Sequence, residues 1–96
     1  MVDCDDVEAA SRLLNDIQGR KPATIEEWLE LGEDYQDISR GFERGNDTEA
    51  AFNAAREGIE RLTPSFLKDP EDLAEPMRGL VAQYIGLTEH SKHKVD

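Results

Sequence analysis

The chain has 96 residues, of which 22 are acidic and 11 are basic, so its formal net charge at pH 7 is −11. This length predicts a single domain, near the lower end of the sizes that fold unaided. The negative charge argues against binding to nucleic acid or to anionic membranes, because both surfaces are themselves negative. It is compatible with a basic protein partner, with occupation of a nucleic-acid site on another protein, or with solubility alone.

Cysteine content and hydropathy indicate a cytoplasmic location. Cys4 is the only cysteine, which excludes an internal disulfide and a cysteine-based zinc site and favours a reducing compartment. The acidic amino terminus is unlike a secretory signal. The longest uncharged stretch, between Arg78 and Glu89, is too short to span a membrane.

Apolar residues recur at helical spacing in the first half of the chain. The first predicted helix ends at Gly19, and its apolar face contains Val7, Ala10, Leu14 and Ile17. Thr24 is expected to begin the second helix, since Glu27 three residues later completes a capping box. Steps of three and four residues then define an apolar face made of Trp28, Leu31, Tyr35, Ile38 and Phe42.

The second half predicts two further helices, each affected by a proline. The third helix begins near Asp47 and is expected to end at Pro64, leaving Phe66 and Leu67 in the connection, where they fill one end of the core. Pro76 is expected either to kink one helix or, as we favour, to separate a short turn at 70–75 from a main helix at about 76–87. This last segment has the widest apolar set, comprising Leu73, Met77, Leu80, Val81, Tyr84, Ile85 and Leu87.

No segment alternates with a period of two residues, so no strand is predicted. The expected fold is all-α: a small antiparallel bundle of three long helices plus a proline-interrupted C-terminal helix. Residues 1–88 form the predicted domain, and the polar residues 89–96 form a predicted disordered tail. The first helix is the least apolar, so we expect it to pack late or against a second copy of the chain.

Residues 26–37, EEWLELGEDYQD, contain six acidic residues and no basic one. Elsewhere acidic residues precede basic ones along each predicted helix, which favours the helix dipole by about 0.3–1 kcal/mol per charge. Here Glu30 and Asp34, like Glu33 and Asp37, are like charges four residues apart. Each such pair costs about 0.2–0.5 kcal/mol. The repulsion indicates a surface retained for another reason, and the alternative is an ordinary solvated helix face.

The candidate partner-binding residues are therefore Glu30, Glu33, Asp34 and Asp37, with Gly32 beside them. Gly32 is one of several glycines predicted inside helices, where each costs about 1 kcal/mol relative to alanine. Such glycines usually permit a close approach between helices of the same chain. The alternative is a smooth groove that accepts a helix of a partner.

The sequence offers little support for catalysis or for a bound metal or cofactor. His90 and His93 have the spacing of two ligands on a helix, but they lie in the predicted tail and lack further ligands. No inward-pointing Glu-x-x-His motif and no glycine-rich phosphate loop is present. We therefore expect no enzyme activity, no metal and no cofactor, and an incidental role for Cys4.

One short pattern resembles a known repeat. Trp28, Leu31, Gly32 and Tyr35 match the opening of a tetratricopeptide repeat, and Phe52, Ala55 and Pro64 resemble its second half. The resemblance would imply a helical hairpin that holds a peptide. The stretch from Tyr35 to Phe52 is about one helical turn too long for the repeat, and no second repeat follows, so the chain is not assigned to that family.

The leading functional hypothesis is a non-catalytic, small acidic helical protein that binds another protein, as an adaptor, an inhibitor or an immunity-type partner. Its partner would have a basic surface. The first alternative is a nucleic-acid mimic that blocks a DNA- or RNA-binding protein, without binding nucleic acid itself. The second alternative is a self-assembling structural protein, built as a helical homodimer.

Overall fold

The computed structural model describes the backbone of residues 4–95 and the side chains of residues 6–89. Over this part of the chain it contains four helices and no strand: α1 (Cys4–Gln18), α2 (Ile25–Arg44), α3 (Thr48–Lys68) and α4 (Pro70–Val95). Short connections place successive helices antiparallel, as in an up-and-down bundle. The predicted all-α fold is confirmed.

Side-chain caps define where α2 and α3 begin. The Thr24 hydroxyl accepts a hydrogen bond from the amide of Glu27 at 3.2 Å, and the Glu27 carboxylate accepts one from the amide of Ala23 at 2.8 Å. The Asp47 carboxylate accepts a hydrogen bond from the amide of Ala50 at 3.1 Å. The bonds from the amides of Glu27 and Ala50 satisfy groups that the first turn of a helix leaves without partners.

Helix α2 contacts each of the other three helices, and α3 and α4 also pack against each other. The core lies mainly between α2, α3 and α4, with Ala10 and Ile17 of α1 added to it, and is formed by the apolar faces predicted from the spacing. On α2, Leu31, Tyr35, Ile38 and Phe42 are buried, whereas Trp28 is half-buried. On α4 the wide apolar set is mostly used within the chain, since Leu73, Leu80 and Leu87 are buried and Ile85 remains exposed.

Two glycines allow the close approach of α2 to its neighbours. A β-carbon at Gly58 of α3 would lie 2.8 Å from the β-carbon of Tyr35, and one at Gly32 would lie 2.7 Å from the β-carbon of Pro76. Both distances are shorter than carbon atoms tolerate, so these positions exclude any larger residue without movement of a neighbour. For both glycines, packing within the chain accounts for the residue.

Helix α1 packs on α2 within the same chain, where Ala10 and Ile17 are buried. The prediction that this helix packs late or against a second copy stays untested, and so does the predicted homodimer. Among the described residues, no helix combines the length and the apolar content that a membrane span requires.

The prediction that the third helix ends at Pro64 is wrong, because α3 continues through this residue to Lys68. A proline has no amide hydrogen, so the carbonyl of Glu60 loses its helical partner. Glu60 and Pro64 are both exposed, which leaves that carbonyl close to solvent. Phe66 and Leu67 therefore lie in the last turn of α3 rather than in a connection. Leu67 is 74% exposed and does not fill the core.

The predicted break between a turn at 70–75 and a later helix is also wrong. Pro70 occupies the first position of α4, where its missing amide is harmless, and the helix continues through Pro76. Pro76 is buried against Gly32, so packing holds its ring in place. The backbone of α4 is helical to Val95, well beyond the predicted end of the helix near residue 87. No change of secondary structure marks the predicted boundary between residues 88 and 89, and the division into domain and tail stays a prediction.

Candidate functional site

Four of the predicted site residues, Glu30, Glu33, Asp34 and Asp37, lie on the face of α2 opposite the core. Their spacing of three, one and three residues aligns them along one side of a helix. Glu30, Glu33 and Asp37 are exposed, and Asp34 is half-buried at the border with α1. We call these four residues the acidic stripe.

Three members of the acidic stripe have no neutralising partner among the described residues. Glu30, Glu33 and Asp37 form neither an ion pair nor a hydrogen bond there through their side chains. Asp34 differs, because its carboxylate accepts a hydrogen bond from the guanidinium of Arg20 at 3.3 Å. Arg20 also binds Asp16 at 2.8 Å, so a single cation serves two carboxylates.

The electrostatics of Asp34 show that the stripe carboxylates act on one another. Burial raises the pKa of Asp34 above its ordinary value, and Arg20 opposes that rise. The negative charges of Glu30, Asp37 and Glu33 raise the pKa further. The carboxylates of the acidic stripe therefore repel one another, and Arg20 opposes this repulsion at Asp34.

Gly32, the fifth predicted site residue, is separated from the acidic stripe. It is buried on the opposite side of α2, where Pro76 and Leu62 pack against it. Its position beside Glu30 and Asp34 in the sequence does not put it beside them in space, because residues two apart face different sides of a helix. The structure thus brings together the four carboxylates and excludes the glycine from their surface.

A polar network that includes Tyr35 fixes the end of α1 next to the acidic stripe. The Tyr35 hydroxyl donates a hydrogen bond to the Glu57 carboxylate at 2.7 Å and accepts one from Arg61 at 3.1 Å. Arg61 also donates to the carbonyls of Ile17 at 2.9 Å and Arg20 at 2.7 Å. A cation at the carboxyl end of a helix is favoured by the helix dipole. This arrangement holds Arg20 within reach of Asp34.

The sequence reasoning missed this network and one further acidic residue. Glu75 of α4 lines the same groove as Glu33, so acidic side chains from two helices line one groove between α2 and α4. In the sequence, Glu75 is one of several acidic residues near the start of the last predicted helix. Glu33 and Glu75, like Arg61 and Tyr35, are far apart in the chain. Their proximity in the fold therefore leaves no local sequence signal.

The described residues contain no group of three or more histidine, cysteine, aspartate or glutamate side chains placed to hold a metal ion. The side chains of Cys4, His90 and His93 lie outside the described residues, so their predicted roles stay untested.

No protein-family model matches this chain, and neither a curated protein nor a solved structure matches it. The functional proposal rests on the geometry and charge of the acidic stripe.

Proposed function

We propose that this protein binds a basic protein partner through the acidic stripe, acting as an adaptor, an inhibitor or an immunity-type partner. The observation that carries this proposal is that Glu30, Glu33 and Asp37 form no ion pair among the described residues. Their charges also raise the pKa of Asp34. A basic surface placed on the stripe would relieve this repulsion in addition to forming new ion pairs.

The physical consequence is binding that depends on charge and on salt. Exposed carboxylates of one sign attract a partner of the opposite sign from a distance, which mainly increases the association rate. Salt screens exposed charges over about 8 Å at physiological ionic strength. The proposed complex should therefore form more slowly and dissociate more readily as the salt concentration rises.

We further propose that the protein acts without catalysing a reaction. Burial raises the pKa of Tyr35 to about 12, so its hydroxyl stays protonated near neutral pH. That hydroxyl already donates to Glu57 and accepts from Arg61, which leaves it little freedom to serve a substrate. The stripe carboxylates are mostly open to solvent and are suited to ionic contact.

The test begins with affinity capture of partners from native lysate at low salt, with identification by mass spectrometry. The purified partner is then titrated with the wild type and with a variant that combines Glu30→Lys, Glu33→Lys and Asp37→Lys. We expect the affinity to fall by roughly tenfold or more, because three ion pairs of modest strength are replaced by repulsion.

A matched control reverses the same number of charges away from the stripe, at the exposed residues Glu8, Glu49 and Glu89. This control should bind nearly as well as the wild type, and circular dichroism should show that both variants fold. Equal affinity of the stripe variant and the wild type, together with insensitivity to salt, would contradict the proposal.

A nucleic-acid mimic is the second candidate function, and the position of Glu75 favours it. Because Glu33 and Glu75 lie on different helices around one groove, the acidic surface extends beyond a single helix, as a phosphate-like surface must. A competition experiment separates the two functions. A mimic would displace duplex DNA or RNA from the captured partner, whereas an adaptor would leave the nucleic acid bound.

A further inference from the structure

The groove between α2 and α4 combines acidic walls with apolar ones. It has a volume of about 370 Å³ and is lined by Leu29, Glu33, Gln36, Glu75 and Pro76. Glu33 and Glu75 are exposed, Leu29 and Gln36 are half-buried, and Pro76 is buried. Among the residues whose side chains are described, no basic one lines this groove, so its two carboxylates have no counter-ion from that part of the chain.

Packing fixes the shape of this groove in the free protein. The side-chain amide of Gln36 donates a hydrogen bond to the carbonyl of Pro76 at 3.3 Å, which joins the two helices at the groove. On the inner side, the ring of Pro76 fits against Gly32. A site formed in advance loses less conformational entropy on binding than one that has to be ordered.

The polar atoms at the groove are suited to a donor of several hydrogen bonds. The carboxylates of Glu33 on α2 and Glu75 on α4 line the groove from different helices and are hydrogen-bond acceptors. The groove therefore presents more acceptors than donors.

We propose that this groove binds an arginine side chain of the basic protein partner. The methylene groups of the arginine lie along Leu29 and Pro76, and its guanidinium lies between Glu33 and Glu75. Arginine fits better than lysine, because its planar group carries five donors and is more weakly hydrated than an ammonium. The proposal rests on the proposed function, because it requires a basic partner. It adds the place on this protein where the partner binds and the type of partner residue that binds there.

The experiment uses two short, capped peptides that alternate glycine with either arginine or lysine, titrated into the isotopically labelled full chain at low salt. We expect the arginine peptide to shift the amide resonances of Leu29, Gln36 and Glu75. Glu75→Gln should weaken its affinity roughly five- to tenfold, because hydrogen bonds to a charged group are lost. Glu49→Gln removes the same charge from an exposed site outside the groove and should have little effect.

The outcomes separate this proposal from the proposed function. If Glu30→Gln and Asp37→Asn weaken the binding of the peptide while Glu75→Gln behaves like Glu49→Gln, the groove proposal fails and the acidic stripe stands. If none of these variants differs from the wild type, both proposals fail. Equal affinity for the lysine peptide would overturn the assignment of arginine. Leu29→Ala, which changes the groove and leaves the acidic stripe intact, provides a second groove variant in case Glu75→Gln alters the fold.

Discussion

Helix α2 packs against α3 and α4 through large buried side chains, whereas α1 contributes one large buried side chain, Ile17, and otherwise small or half-buried residues and polar contacts. Of the largest fully buried side chains in the described part of the chain, α1 contributes only Ile17. The other helices contribute Leu31, Tyr35, Ile38, Leu62, Leu73, Leu80 and Leu87. The contacts of α2 with α3 and α4 are driven by the removal of apolar surface from water, which favours folding strongly.

The contacts of α1 are of a different kind. Gly41 of α2 lies against Ala10, and Arg44 lies 3.6 Å from Asp6 at the border between the two helices. Exposed ion pairs of this sort contribute about 0–1 kcal/mol each. Arg61 binds the carboxyl end of α1 through the carbonyls of Ile17 and Arg20.

This difference explains how the protein tolerates the repulsion of the acidic stripe. The core between α2, α3 and α4 provides most of the stability, and the stripe lies outside it. Like charges on an exposed face cost only a fraction of a kcal/mol per pair, which is small beside the burial of several leucines. The surface of α2 can therefore carry a charge pattern unfavourable to the free protein.

The largest expected effect comes from a cavity in the core. Leu62→Ala should lower the free energy of unfolding by about 2–5 kcal/mol, because the leucine is fully buried and its neighbours cannot fill the space. Leu14→Ala, on the half-buried face of α1, should lower it by only about 1 kcal/mol. Urea unfolding followed by circular dichroism measures both values.

The matched control is Leu67→Ala, since Leu67 lies in the same helix as Leu62 and is 74% exposed. Its free energy of unfolding should stay within about 0.5 kcal/mol of the wild type. If Leu14→Ala were as damaging as Leu62→Ala, the distinction between the core and the contacts of α1 would be wrong.

An intermediate effect comes from one glycine at each of two helix contacts. Gly58 lies where α3 packs on α2, and Gly41 lies where α2 packs on α1. Gly58→Ala should lower the free energy of unfolding by about 2 kcal/mol, because the new β-carbon would lie 2.9 Å from the ring carbon Cγ of Tyr35. The better helix propensity of alanine, about 1 kcal/mol, offsets only part of this overpacking. Gly41→Ala would place a β-carbon 3.2 Å from that of Ala10, and a small shift of α1 relieves this contact.

For Gly41→Ala we expect a change within about 0.5 kcal/mol, because the gain in propensity nearly cancels the crowding. Thermal and urea unfolding of the two variants compare the sides directly. A loss at Gly41 equal to that at Gly58 would mean that α1 is held as rigidly as α3 and α4.

Local patterns predicted most of the fold, because helical spacing and capping depend on residues close together in the chain. Thr24 and Glu27 form the expected cap, and Leu31, Tyr35 and Leu62 lie in the core as their spacing indicated. The errors concern Pro64 and Pro76. Whether a proline ends a helix depends on where the freed carbonyl and the ring lie in the folded chain, which local patterns do not specify.

The candidate site, like the fold, could be predicted only as far as it depends on residues close together in the chain. Repulsion between like charges four residues apart identified Glu30, Glu33, Asp34 and Asp37, and three of these are exposed. Gly32 was grouped with them by proximity in the sequence, although helical geometry already places it on another face. Glu33 and Glu75 line one groove because of how α2 and α4 align, and helical periodicity does not determine that alignment.

The smallest expected effect concerns Asp34, at the border between α1 and the acidic stripe. Burial and the neighbouring carboxylates raise the pKa of Asp34 above its ordinary value of 3.8, despite the ion pair with Arg20. The folded protein therefore binds this proton more tightly than the unfolded chain does. The free energy of unfolding should fall as the pH rises through the interval between the unfolded and the folded pKa values. We expect this loss to be small, because solvent screens this site.

Carbon-detected NMR titration of the Asp34 carboxyl measures its pKa, and Asp34→Asn should remove this component of the pH dependence of unfolding. Glu30→Gln should lower the pKa of Asp34, because one repulsive charge is lost, whereas Glu49→Gln on α3 should leave it unchanged. A pKa of Asp34 below the ordinary value would show that Arg20 outweighs burial and repulsion together. Asp34 would then contribute an attractive ion pair to the contact between α1 and α2. Only the other three carboxylates of the acidic stripe would remain without such a pair.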